Sequence, residues 1–116
     1  MEIIQGGINS ARRAEGFPAI PLERTSITGL THKIGTVSMA RGTAADTATS
    51  DFFICLDHQP SLDFGGKRFD DEQGAAAFGR VVKGLDVVRE IQQQPVNGQS
   101  LNPPVTIVRI SRLLFL

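Results

Sequence analysis

The 116-residue chain contains one cysteine, no tryptophan and no tyrosine, and all seven of its aromatic residues are Phe. A lone thiol, Cys55, cannot close an internal disulfide, which excludes a disulfide scaffold. Neither sign of charge is in excess: twelve Lys and Arg balance twelve Asp and Glu, so the formal net charge is zero. That balance gives no electrostatic reason to expect nucleic acid or an acidic membrane surface as main partner. No apolar run is long enough to cross a bilayer. Residues 1–5 lack both the basic region and the long apolar region of a signal peptide. The expected location is the cytoplasm, with an export signal upstream of Met1 as the alternative. The length allows one domain at most, and no internal repeat is visible.

What is present is 41% apolar residues, twelve Gly and six Pro, a composition of many turns rather than long helices. Residues 3–5 read as a strand stopped by Gly6-Gly7. Residues 7–35 show no sustained period and are broken by Pro18 and Pro21. So long a loop in a compact domain is usually functional or disordered. Short strands are expected over 36–39, 52–56 and 76–81, separated by loops over 41–49 and 59–75. The only credible helix runs from 85 to about 93, with Leu85, Val88 and Ile91 on one face and Arg89, Glu90, Gln92 and Gln93 outward. Pro95 ends it, and Asn97-Gly98 and Asn102-Pro103-Pro104 mark turns. Residues 105–113 alternate with both rows partly apolar, which predicts a strand covered on both sides. The fold class is all-β with minor α.

The stretch Ser50-Asp51-Phe52-Phe53-Ile54-Cys55 carries the most information. Successive strand side chains point to opposite faces, so one of the two Phe rings leaves the row that faces the core. A barrel displays an aromatic floor to an outside ligand in this way. Around it stand, in order, Gln5-Gly6-Gly7, Gly35-Thr36-Val37-Ser38-Met39-Ala40, Leu62-Asp63, Phe78-Gly79-Arg80-Val81-Val82-Lys83-Gly84 and Leu85-Asp86-Val87-Val88. In these motifs and their order the chain resembles a cyclophilin, the cyclosporin-binding type of peptidyl-prolyl cis-trans isomerase, of the bacterial kind. The likeness covers almost the whole chain. It implies a single domain over 1–116, an antiparallel β-barrel that is incomplete. The family's eight strands and two capping helices are represented by about five strands and one helix.

The departures from the family pattern are specific. Gln5 is the fifth residue, whereas the family's domain begins well before that motif. The opening strands, first helix and segment bearing the family's catalytic arginine have no counterpart. Arg12 and Arg13 follow the motif and do not inherit that role. Ser61, not tryptophan, precedes Leu62, which implies weak or no cyclosporin binding. The segment 64–75 replaces the region of the family's pocket histidine, and His58 lies on the wrong side of Leu62. Three states are expected: a fragment of a longer product, a chain that pairs with a complementary segment or second copy, or a marginally folded, aggregation-prone chain. The expectation rests on residues 105–113, which without the opening strands would form an exposed apolar edge able to self-associate.

An X-Pro bond turns slowly because amide resonance sets a barrier of roughly 20 kcal/mol. Lowering it takes no nucleophile, metal or cofactor. It takes a dry apolar pocket for the pyrrolidine ring, groups that hold the flanking backbone, and a donor that favours the twisted nitrogen. The resemblance implies Phe53 as pocket floor, Leu62 as wall, and Ile3 where the family usually has Met. It makes Gln5 the hydrogen-bonding partner of the substrate backbone. Ala40 and Arg41 would line the groove for residues before the proline, Arg41 standing for a common Asn. Without the motifs, Phe53 and Leu62 would read as core, and Gln5 as a surface residue.

Other constellations are weaker. Cys55, Asp57 and His58 lack a fourth metal ligand, and Ser50 with His58 and Asp57 lacks a nucleophile elbow. Gly65-Gly66-Lys67 lacks the remaining phosphate-loop positions and reads as a turn with a solvated Lys67-Arg68 pair. Arg109 and Arg112 are expected to face solvent. The leading expectation is therefore a prolyl isomerase whose partners are proline-containing peptides and folding proteins. A non-catalytic proline-peptide binding module is the alternative, and an interaction domain on an unrelated barrel is a third reading.

Overall fold

A computed structural model describes residues 1–113. Four short strands, β1 (Ile3–Gly6), β2 (Thr36–Met39), β3 (Phe52–Cys55) and β4 (Ala77–Arg80), form one antiparallel sheet in the order β1-β3-β2-β4. Their positions match the strands read from the sequence, with β1 one residue longer, β3 one residue shorter and β4 one residue shorter at each end. Alternation decides the burial. Phe53 and Cys55 of β3 are buried while Phe52 and Ile54 are half-buried, and in β2 Thr36 and Ser38 are buried. The register places Gln5 and Ser38 opposite Phe53 from either side, so these three residues form one row across the sheet. Phe53, Cys55, Leu62 and Ala75 make the core cluster, with Ile3, Ala40 and Phe69 packed against it.

The helix α2 (Leu85–Gln92) follows β4. Val88 is buried and Leu85 and Ile91 are half-buried, the face expected from their spacing. Asp86 in its first turn and Arg89 in its last complement the helix dipole. A small hairpin, β5 (Val96–Asn97) and β6 (Ser100–Leu101), comes next. It turns at Gly98, whose φ of 66° suits glycine.

Two expectations require correction. The first concerns the long segment ahead of β2. It holds a second helix, α1 (Thr25–Thr28), and a 3-10 segment, Ser10–Glu15, kinked at Arg12. One turn of helix carries too little periodicity to be read from sequence. The segment is ordered by long-range bonds. The Leu22 N–H donates to Asp46 at 2.8 Å, the Phe64 N–H to the Thr25 hydroxyl at 2.9 Å, and Ile20 bridges Ala48.

The second correction concerns residues 105–113, which are irregular rather than a strand. Val108, Ile110 and Leu113 are 93%, 75% and 76% exposed. An alternating pattern becomes a strand only where a neighbour supplies the ladder. Among the described residues β1 pairs only with β3 and β4 only with β2, so none is offered. Ile107 reaches the sheet, its Cδ1 lying over Gly6 on the Phe52 side. Arg109 and Arg112 are exposed, but not on a strand. The all-β, antiparallel and incomplete architecture stands.

Candidate functional site

The six residues singled out from the sequence line one cavity. Ile3 and Gln5 of β1, Phe53 of β3, Ala40 after β2, Arg41 and Leu62 surround a space of about 80 Å³, joined by Met1, Arg68 and Phe69. Phe53 and Leu62 are only 5% and 2% exposed, so they belong to the core and to the cavity wall at once. Gln5 is exposed at the rim. A second hollow of about 260 Å³ shares Gln5, Ala40 and Arg41 and continues past Gly42, Thr47, Thr49 and Asp51. The arrangement offers an apolar floor beside a polar groove.

Beneath the floor lies a residue that sequence reading missed. His32 is completely buried, and its ring stacks on Phe53 with centroids 5.9 Å apart and planes 13° apart. Its Nδ1 lies 2.8 Å from Asp63 Oδ1, which also accepts the His32 backbone N–H at 2.9 Å. Its Nε2 lies 2.8 Å from the Ser38 hydroxyl. A carboxylate only accepts, so Nδ1 carries the proton toward Asp63. The Ser38 hydroxyl can rotate to serve Nε2. His58, by contrast, is exposed. Asp63 beside Leu62 was the available signal.

Arg41 fixes the far wall. Its side chain is 1% exposed and all five N–H donors are used. Nε donates to the Gly42 carbonyl at 3.1 Å. Nη1 donates to the Gly74 carbonyl at 2.8 Å and to Asp71 at 3.3 Å. Nη2 donates to the Thr43 carbonyl at 2.7 Å and to Asp71 at 2.6 Å. Its guanidinium also sits 4.0 Å from the centre of the Phe69 ring. Arg41 thus straps the glycine-rich segment around 64–74 over the cavity. The Arg41 hydrogen bonds, and the Gln73 N–H after them, hold the Asp71 carboxyl below its ordinary value.

Glycine is required at Gly74, which combines a φ of 77° with a backbone approach that leaves a Cβ only 2.5 Å from the Leu62 carbonyl. The expected solvated pair divides. Lys67 bonds Glu72 at 3.0 Å, whereas Arg68 turns to the cavity with its guanidinium 5.4 Å from the Phe69 ring centre.

Cys55 is fully buried, and desolvation, then the charges of Asp57 and Asp63, push its thiol up to about 11. Asp57 receives the Glu2 N–H at 3.3 Å and the Gln59 amide. Among the described residues no group of three His, Cys, Asp or Glu could hold a metal, and no helix is long and apolar enough to cross a membrane.

The model of the family described as cyclophilin type peptidyl-prolyl cis-trans isomerase/CLD matches residues 1–112. The chain belongs to the cyclophilin family. A peptidyl-prolyl cis-trans isomerase of Acinetobacter baylyi is 37% identical over 110 residues, covering 93% of this chain and 56% of that protein. Peptidyl-prolyl cis-trans isomerase A of Dickeya dadantii is 38% identical over 91 residues, covering 78% of this chain and 46% of that protein. Isomerase B of Escherichia coli is 33% identical over 90 residues, covering 78% and 54%. The chain spans about half the length of the curated relatives it matches. Within this cyclophilin chain, the matched region includes both the cavity and the buried His32 beneath it.

Proposed function

We propose that the cavity over Phe53 is a proline-binding site and that the chain serves peptidyl-prolyl cis-trans isomerisation in folding proteins. The observation that carries this reading is the convergence of Ile3, Gln5, Ala40, Arg41, Phe53 and Leu62 on one apolar-floored cavity. The pyrrolidine ring would lie on Phe53 between Leu62 and Ile3. Burying the imide there strips it of water and weakens the resonance that holds it planar. Gln5, exposed at the rim, has both a donor and an acceptor to hold the peptide backbone. The adjoining groove beside Ala40 and Arg41 would take the residues before the proline.

Arg41 shapes that groove and does not donate to the substrate, because its five N–H groups are already engaged. That engagement favours a second reading, a module that binds proline peptides without turning them over.

Exchange NMR on a short Ala-Ala-Pro peptide tests both. Faster cis-trans exchange that scales with protein is expected for the isomerase. Peptide-dependent shifts of the Phe53 ring without exchange would leave the binding module. Neither shifts nor exchange would remove the site.

A further inference from the structure

We propose that Arg68 makes this site selective for a proline followed by an acidic residue; the inference rests on the proline-pocket reading. Two guanidinium groups line the cavity, Arg41 and Arg68. The charge of Arg41 is matched by Asp71 at 2.6 Å, and its donors are exhausted. Lys67, next in sequence to Arg68, is matched by Glu72 at 3.0 Å. Arg68 is exposed, and among the described residues its guanidinium has no acidic partner and no hydrogen-bond acceptor. Its one side-chain contact of this kind is the Phe69 ring, over which the guanidinium sits 5.4 Å from the centroid. Its backbone N–H is anchored to the Ser61 carbonyl at 3.1 Å. Of the two guanidinium groups of the cavity, the uncompensated one is therefore that of Arg68, held by its own backbone and by an aromatic face.

Position decides which part of a peptide meets it. The groove past Gly42, Thr47 and Thr49, where residues before the proline would lie, does not include Arg68. Arg68 belongs to the ring cavity, beside Phe69. A chain entering along the groove and placing its proline on Phe53 leaves past Arg68. A carboxylate on the next residue would meet an unpaired guanidinium, which suits bidentate pairing. A lysine there would meet a like charge. Because Arg68 is exposed, the preference is modest, about three- to fivefold, as for solvent-exposed ion pairs.

The test compares binding of Ala-Ala-Pro-Glu-Ala, Ala-Ala-Pro-Lys-Ala, Glu-Ala-Pro-Ala-Ala and a neutral Ala-Ala-Pro-Ala-Ala peptide, read from Phe53 ring shifts in the 116-residue chain. The expected result is about three- to fivefold tighter binding of the Pro-Glu peptide than of the Pro-Lys peptide. Arg68→Gln should erase the difference and Arg68→Glu should reverse it. Salt near ~1 M, where the Debye length falls to about 3 Å, should flatten it. A neutral peptide that binds while wild type ranks Glu and Lys equally would overturn the proposal. A Glu preference that survives in Arg68→Gln would do the same, as would an equal gain from Glu placed before the proline. If the neutral peptide leaves Phe53 unmoved, the pocket reading itself falls and the Arg68 role with it. Arg68 is exposed, so its variants should fold like wild type, which circular dichroism checks.

Discussion

The imidazole of His32 lies nearly parallel to the ring of Phe53, with centroids 5.9 Å apart, and is pinned at both nitrogens by Asp63 and Ser38. The cavity floor thus rests on a second ring that cannot rotate without breaking two hydrogen bonds. The motifs around Ser38 and Leu62-Asp63 converge on this ring, which ties β2 to the loop after β3.

His32→Phe would keep a ring beneath Phe53 but take the imidazole partner from the Ser38 hydroxyl and from the Asp63 carboxylate, which would keep only the backbone N–H of residue 32. Leaving buried polar groups unsatisfied costs about 2–4 kcal/mol here, more than loss of the stack. Urea unfolding should show the midpoint falling accordingly. His32→Phe with Asp63→Leu should recover part of the loss, since removing both partners is cheaper than removing one. A single variant as stable as wild type would show that the network contributes nothing.

Phe53 belongs to the core and, in the proposed reading, also floors the proline site, and the two roles can be separated. Phe53→Ala removes a core ring and should cost about 3–5 kcal/mol, a large share of the total stability of a small domain. Phe53→Leu keeps apolar volume and should cost about 1–2 kcal/mol. The Leu variant loses the flat surface for a pyrrolidine ring, so proline-peptide affinity should fall about tenfold, a loss near 1.4 kcal/mol. Thermal melting and peptide titration on the same sample would give both numbers. Full affinity in Phe53→Leu would move the proline site elsewhere.

The strap between Arg41 and Asp71 predicts an acid-sensitive cavity wall. The Asp71 carboxyl is held below its ordinary value, chiefly by its Arg41 hydrogen bonds. A depressed folded value means the tie is complete above the ordinary carboxylate range and is lost as pH falls through the lowered one. Amide protection over 64–74, taken relative to the intrinsic exchange rate at each pH, should therefore fall on acidification, before global unfolding, and Asp71→Asn should show faster exchange already at neutral pH. Arg41→Lys cannot reproduce five donors in a fixed plane, and should cost about 1–3 kcal/mol and loosen the same segment. Unchanged exchange in both variants would mean the segment is held by its glycine-dependent backbone contacts alone.

Strand placement was legible because period-two burial is local. Phe53 and Cys55 face inward by the same alternation that any reader of residues 52–55 can apply. The six cavity residues were legible for a different reason, the motif likeness, since nothing in their local sequence brings Ile3 toward Leu62. His32 was not legible, because its partners lie 6 and 31 residues away and its burial is a tertiary outcome. Arg68 is exposed, as its sequence reads, but its place beside the cavity was not legible, because the Phe69 ring and the cavity wall meet it only in the folded chain. Residues 105–113 show the opposite error. Their alternation is real, yet a strand is a property of a pair, and the neighbour was assumed.

Cys55 is shielded in two ways, and the two predict different signals. It has no solvent exposure, and desolvation with the nearby Asp57 and Asp63 charges raises its thiol from 9.0 to about 11. A thiol reagent needs the thiolate and an approach path, so labelling of the native chain near pH 8 should be at least about a hundredfold slower than in denaturant. The titration also shapes stability at high pH. Below the unfolded value both states hold the proton and the contribution is fully present. Between 9.0 and about 11 only the unfolded thiol ionises, so stability falls as pH rises through that window. Cys55→Ala should flatten this part of the stability profile at a cost of about 1 kcal/mol near neutrality. Labelling as fast in the native chain as in denaturant would show that β3 opens freely, and with it the floor on which Phe53 sits.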